Sequence, residues 1–223
     1  MFPLKDTQPS YSRPVVNIML IAVNVLVFLF EYSLGPRTLN AFVEYYGLVP
    51  DHFQLSRVFT AMFLHAGWMH VLGNMLFLWV FGQKIEDLLG HAKYLVFYLL
   101  CGIVAALGQT VANPYSTIPM VGASGAIAGV MGAYLIKFPR ARILTLVFIV
   151  FFVTTIEIPA PIMLGFWFVT QLFNGLGSIA RTHVSQGGTA FFAHIGGFVA
   201  GMALVKVMGS SDRYNRRRDR YWE

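Results

Sequence analysis

The feature that most constrains this chain is a series of apolar windows close to the length of a membrane-crossing helix, which needs about 20 residues. They fall at 15–34, 64–82, 92–112, 121–136, 143–179 and 190–208. The connections between them are short, and none is a polar stretch long enough to fold as a separate soluble domain. Composition agrees. Charged residues make up 12% of the chain, against about 25% in an ordinary soluble domain. The chain reads as an all-α, polytopic membrane protein: one bundle of six transmembrane helices over 15–208, a short N-terminal segment at 1–14 and a basic tail at 209–223. The first window follows Lys5 and Arg13 but exceeds the core of a cleavable signal peptide and lacks a small-x-small cleavage pattern, so it is expected to be a retained helix. A single cysteine, Cys101, lies inside a window, which excludes a disulfide framework and leaves no metal-ligand spacing. Nothing in the sequence asks for a cofactor.

The fifth window is too long for one helix. It contains Glu157-Ile158-Pro159-Ala160-Pro161, and two prolines mark a break. Basic residues decide how many times the chain crosses, because Lys and Arg accumulate on the cytoplasmic side. If only 160–179 spans, one side holds thirteen of them, in the segments 1–14, 83–93, 137–142 and 206–223, and the other holds Arg37, Arg57 and Arg181. If 143–156 also crosses, the tally becomes eight against eight. The first arrangement is therefore expected, with both termini cytoplasmic and 143–156 lying at the cytoplasmic interface or packed on the bundle. The tail RYNRRRDRYWE fits a lipid-attracting orientation anchor better than a nucleic-acid arm.

Three helices then start on the opposite side, each with a polar group near its beginning. HAGWMHVLGN places His70 and Asn74 at i and i+4 on one helix face, behind His65. Ser124 opens the fourth window within Gly122-Ala123-Ser124-Gly125, and His194 opens the sixth as AHIGGFVAG. Thirteen residues separate Ser124 from Lys137 and twelve separate His194 from Lys206. At about 1.5 Å per residue both sit some 18–20 Å above their lysines, which places them on the order of 10 Å below the outer surface of a hydrocarbon layer about 30 Å thick. Gly125 with Gly129, and Gly197 with Gly201, supply the small surfaces that let two such helices approach closely.

Taken singly, these residues are weak signals. A serine among glycines in a membrane helix is more often a packing residue, and GASG is not the GxSxG elbow of soluble hydrolases, since Ala126 replaces the second glycine. A histidine within a span is by default a functional hypothesis, with structural hydrogen bonding as the rival. Together they say more. A serine hydroxyl becomes a nucleophile when a neutral imidazole accepts its proton. No carboxylate is expected beside His194, because Glu31 belongs to the outer end of the first helix and Glu157 to the cytoplasmic break. The ring of His65, His70, Asn74, Ser124 and His194 is expected to line a cavity that admits water from the outer face. The aromatic-rich loop 35–58 is expected to dip into the outer interface.

The combination resembles the rhomboid family of intramembrane serine proteases, over residues 15–208 and through three motifs: HxxxN at His70–Asn74, GxSG at Gly122–Gly125 and AHxGG at Ala193–Gly197. The resemblance implies a six-helix core with outward-facing catalysis by a Ser–His dyad. Ser124 would be nucleophile and His194 base, with His70, Asn74 and the Ser124 N–H as oxyanion donors. It implies a gate formed by the fifth helix with Phe166, Trp167 and Phe168, capped by the loop 180–190, and a substrate cavity that includes His65, Gly122 and Trp167. Substrates would be single-span membrane proteins met within the lipid bilayer, without nucleic acid. A prokaryotic cytoplasmic membrane is the expected location. A tyrosine found in some members four residues after the serine is Ala128 here, so another group must orient His194. The rival readings are a catalytically silent relative that binds membrane clients, and a transporter, against which stands the absence of repeated halves.

Overall fold

The computed structural model describes residues 2–149, 152–180 and 190–211. Most of the capping loop 180–190 and the arginine-rich part of the tail lie outside the described residues. In chain order the elements are β1 (Phe2–Asp6), α1 (Val15–Ser33), α2 (Pro36–Tyr46), a 3-10 turn at Pro50–His52 and α3 (Leu55–Ala61). Next comes α4 (Trp68–Phe77), which runs through a π turn at Leu78–Gly82 into α5 (Gln83–Leu89). The chain continues through α6 (His91–Ala112), α7 (Ser124–Lys137), β2 (Arg142–Ile149), β3 (Phe152–Pro159), α8 (Ala160–Ala180) and α9 (Phe191–Met208). Among the described residues three helices, α1, α6 and α9, are long and apolar enough to cross a membrane, and α7 is a shorter apolar helix.

Helix α7 is the centre of the bundle, with every residue from Gly125 to Tyr134 buried. A helix that is apolar on all sides either faces lipid or sits in a core, and here its neighbours cover it. Its glycines decide how close those neighbours come. A methyl group at Gly197 would stand 2.0 Å from the Gly125 carbonyl oxygen, and one at Gly201 would stand 1.9 Å from that of Gly129. Backbone thus lies on backbone between α7 and α9, as the paired GxxxG spacings predict. On the other flank a methyl at Gly129 would meet Cys101 Sγ of α6 at 2.4 Å. In lipid the apolar surface has no water to escape, so this close van der Waals packing does the work of holding the helices together.

The π turn between α4 and α5 has a visible cause. Asn17 of α1 donates its amide to the Leu78 carbonyl at 3.1 Å and accepts the Tyr94 hydroxyl at 2.7 Å. It does so by lying against Gly82, where a methyl would come within 2.0 Å of Asn17 Oδ1. An inserted side chain that takes a helix carbonyl is a recognised origin of such turns.

The segment after α7 forms a β-hairpin, β2 pairing antiparallel with β3 from Arg142↔Pro159 to Ile149↔Phe152. The N-terminal β1 adds to it, giving a three-stranded sheet in the order β1-β2-β3. The helical reading therefore describes the body of the chain, and a small sheet is added at the Lys137 end. The runs RILTLVFI and FVTTIEIP are rich in β-branched and aromatic residues, which suit a pleated surface. Proline then has the role expected of it. Pro159 ends β3 and Pro161 sits in the first turn of α8, where a missing N–H costs nothing.

Candidate active site

Ser124 is the first residue of α7 and His194 lies in the first turn of α9, so the close packing of these two helices brings their starts together. The Ser124 hydroxyl donates to His194 Nε2 at 2.7 Å. The opposite ring nitrogen, Nδ1, donates to Gln171 Oε1 of α8 at 2.8 Å. The imidazole is buried and lies against Trp167, also of α8, with ring centroids 5.6 Å apart and planes inclined at 40°. Gln109 of α6 accepts the Ala193 N–H at 3.3 Å, satisfying one of the orphan donors in the first turn of α9 and fixing the turn that carries His194.

A second group forms around Asn74. His65 donates Nδ1–H to the Phe63 carbonyl at 3.3 Å and with Nε2 accepts the Asn74 amide at 3.0 Å. The backbone N–H of His65 is in turn held by Glu31, 3.0 Å from its nearer carboxylate oxygen. His70 Nδ1 accepts the Ala66 N–H at 3.4 Å, leaving its Nε2–H free to donate elsewhere. Both free donors converge on Gly122. A methyl group there would stand 2.8 Å from His70 Nε2 and 3.7 Å from Asn74 Nδ2. Gly122 also has φ +124°, a conformation that any side chain would strain. Glycine at this position therefore lets the chain turn into α7 while the His70 ring closes over it. The segment is further tied down by Gly122 N–H donating to the Ala61 carbonyl at 2.8 Å and by a bridge between Leu48 and Met120.

These groups border one cavity of about 1060 Å³, whose lining includes His70, Asn74, Gly122, Ser124, Trp167 and His194. His65 is not among the lining residues. It backs Asn74 from behind instead of facing the space, because its ring is used up by Phe63 and Asn74. Ser124, Gly125 and Ala126, the first turn of α7, whose N–H groups have no acceptor within the helix, also line this space. A hydroxyl bonded to an imidazole, beside N–H donors that converge on one point, is the arrangement that acyl transfer uses. Among the described residues no cluster of His, Cys, Asp or Glu could hold a metal ion.

The rhomboid-domain family model matches residues 52–211. The chain belongs to the rhomboid family. It is 33% identical over 202 residues to rhomboid protease GluP of Bacillus subtilis (strain 168), covering 89% of this chain and 36% of that protein. It is 31% identical over 208 residues to rhomboid-like protease 3 of Toxoplasma gondii, covering 90% and 72%. Over 150 residues it is 33% identical to the mitochondrial presenilin-associated rhomboid-like protein of Homo sapiens, covering 65% and 38%. The chain thus spans just over a third of the length of the Bacillus relative. As a rhomboid with several long apolar helices it is a multi-pass integral membrane protein.

The structure separates the three aromatics that the rhomboid resemblance groups as a gate. Trp167 faces inward against His194, and Phe168 stacks on Phe198 of α9 at 4.7 Å. Phe166 points away and is 66% exposed. Sequence reasoning missed Gln171. The available signal was an amide in the otherwise apolar run FWFVTQLF, four residues after Trp167 and so on the same helix face.

Proposed function

We propose that this rhomboid is an intramembrane serine endopeptidase that cleaves single-span membrane proteins, with Ser124 as nucleophile and His194 as general base. The single observation that carries this reading is the 2.7 Å hydrogen bond from Ser124 to His194 Nε2. As the Ser124 oxygen attacks the scissile carbonyl, its proton passes to His194, which later returns it to the leaving amine. The oxyanion that forms takes hydrogen bonds from the Ser124 N–H, Asn74 and His70, aided by the positive end of the α7 dipole. No metal or cofactor takes part in these steps. The relatives named as rhomboid proteases support the same activity. The silent-relative alternative would sacrifice the serine or the histidine, and this chain keeps both, bonded to each other.

Six crossings follow from this reading: α1, the α4–α5 run, α6, α7, α8 and α9, with both termini and the sheet on the cytoplasmic side. The basic-residue asymmetry supports that orientation. The cavity then opens outward, and the cut falls in the outer part of the substrate span. Gly122, Ala123, Ala126 and Ala128 give the surroundings space without charge, so a small residue is preferred before the scissile bond. The test is incubation of the purified protein and its Ser124→Ala variant with a single-span substrate in liposomes, with products mapped by mass spectrometry. The expected result is cleavage in the outer half of the span by the unaltered protein alone. Cuts in the cytoplasmic half, or a requirement for Lys or Arg before the bond, would contradict it.

A further inference from the structure

We propose that Gln171 is the positioning residue for His194: its amide oxygen holds the imidazole in the tautomer whose lone pair faces Ser124, the task a carboxylate performs in a three-membered triad. This rests on the reading of Ser124 and His194 given above, and it answers the question raised by Ala128.

The direction of the hydrogen bonds carries the argument. Thr170 donates its hydroxyl to the Trp167 carbonyl at 2.6 Å, so its oxygen is left to accept the Gln171 Nε2–H at 3.3 Å. The amide nitrogen of Gln171 is therefore engaged by its own helix, with Trp167 O a second, longer acceptor at 3.5 Å. Only the amide oxygen is turned toward α9. An oxygen acceptor requires the facing ring nitrogen, Nδ1, to carry the proton, and the 2.8 Å separation is that of a well-formed bond. A neutral imidazole with Nδ1 protonated has its lone pair on Nε2, which is where the Ser124 hydroxyl donates. Four donors thus run one way, from Ser124 through His194, Gln171 and Thr170 to a backbone carbonyl. The reversed tautomer would set two acceptors, the Nδ1 lone pair and Gln171 Oε1, face to face, and would turn Nε2–H instead of a lone pair toward Ser124.

Packing agrees with this role. On α8 the buried or half-buried positions Leu164, Trp167, Phe168 and Gln171 form one stripe, while Ile162, Phe166, Val169 and Phe173 are exposed on the other side. A buried amide costs free energy in an apolar setting unless its polar atoms are bonded, and leucine would fill the stripe more cheaply. Trp167, one turn earlier, closes the ring face, so one helix face supplies both the hydrogen bond and the wall against which the ring rests. A neutral amide fixes orientation without adding a charge to balance the imidazolium. Its loss should therefore reduce turnover roughly 10- to 100-fold, short of the ~10⁴-fold that follows when a triad aspartate is replaced by its amide.

The test has two independent readouts. Nitrogen NMR of ¹⁵N-histidine-labelled protein, with His194 assigned by its loss in His194→Ala, reports which ring nitrogen bears the proton. The expected state is Nδ1–H in the unaltered protein and in Ser124→Ala, and a tautomer mixture in Gln171→Met. Nε2–H in the unaltered protein, or an undisturbed Nδ1–H in a folded Gln171→Met, would overturn the assignment. In the cleavage assay Gln171→Met should lower kcat with KM within about twofold, and Gln171→Glu, which keeps an acceptor oxygen, should recover most of the rate. A kcat for Gln171→Met equal to that of the unaltered protein would likewise overturn it. Failure of the unaltered protein to cleave any substrate would sink the proposed function, whereas the NMR result judges Gln171 without reference to cleavage.

Discussion

The two ends of the bundle hold their buried polar groups in opposite ways. At the Lys137 end the groups are charged and closed on one another. Asp6 accepts the Tyr134 hydroxyl at 2.7 Å and pairs with Lys84 at 3.4 Å, and Lys84 also donates to Ser10 at 2.8 Å. Glu86 accepts the first N–H groups of α1, at Val16 and Asn17, and Asp87 takes the Tyr11 N–H and the Ser12 hydroxyl. At the Ser124 end the side chains lining the cavity are neutral or titratable only as imidazoles, and His70 Nε2 and Asn74 Nδ2 lie beside Gly122 at its wall. Burying polar atoms is tolerated at the first end because each is satisfied. At the second, uncharged polar side chains stand beside a cavity, which is expected where a substrate is to be received. One end is built to hold the chain together and the other to receive something.

Substitutions at the two ends should therefore read out differently, and the largest contrast is at the serine. Ser124→Ala and His194→Ala should each reduce cleavage on the order of 10⁴-fold or more, with the double variant no worse, because nucleophile and base act as a unit. Thermal unfolding in detergent should barely move. Lys84→Met should do the reverse, costing about 3 kcal/mol of stability, since one member of a buried pair is left uncompensated, while the folded fraction keeps its turnover number. Its pH dependence has a definite sign. Burial pushes the Asp6 carboxyl up, and the Lys84 ammonium opposes that rise. With the ammonium gone, the charged carboxylate is favoured still less in the folded state. The deficit should be greatest near pH 7 and shrink as the pH falls and Asp6 takes up a proton.

Two smaller effects sharpen the same contrast. Asn74→Ala should lower kcat more than it raises KM, by less than the about 2.7–4 kcal/mol assigned to a dominant oxyanion donor, because His70 and the Ser124 N–H share the anion. A raised KM at unchanged kcat would move Asn74 to ground-state binding. Tyr134→Phe should cost about 1 kcal/mol of stability, the net worth of one buried hydrogen bond, and nothing in turnover.

How much of this was legible in the sequence follows from what each signal depends on. The long helices α1, α6, α8 and α9 were readable because each is an apolar run of its own, and the approach of α7 to α9 was readable because GxxxG is a local spacing with one physical use; α2 and α3 were not, since they lie in the segment 35–58 that reads as a loop and α2 buries none of its residues. Ser124, His194, His70 and Asn74 were readable as chemistry-bearing residues near helix starts. The hairpin was not, because Arg142–Ile149 and Phe152–Pro159 form a nearly continuous apolar run in which neither a period of two nor one of 3.6 stands out. The pairing of β1 with β2 is a contact between residues some 140 apart, which no local pattern encodes. The π turn depends on Asn17 reaching Leu78 and Gly82 from another helix. Gln171 escaped for a similar reason. Its identity was plain, but its meaning lies in the direction of bonds that only the packed α8–α9 pair defines.

The central claim is that His194 makes Ser124 a nucleophile, and covalent labelling tests it without any choice of substrate. The protein in liposomes is treated with a fluorophosphonate, which reacts with activated serines, and the adduct is located by mass spectrometry. One modified serine is expected, Ser124, with labelling lost in His194→Ala and slowed in Gln171→Met. Labelling of Ser124 at an unchanged rate in folded His194→Ala protein, or an adduct at a different serine, would contradict it.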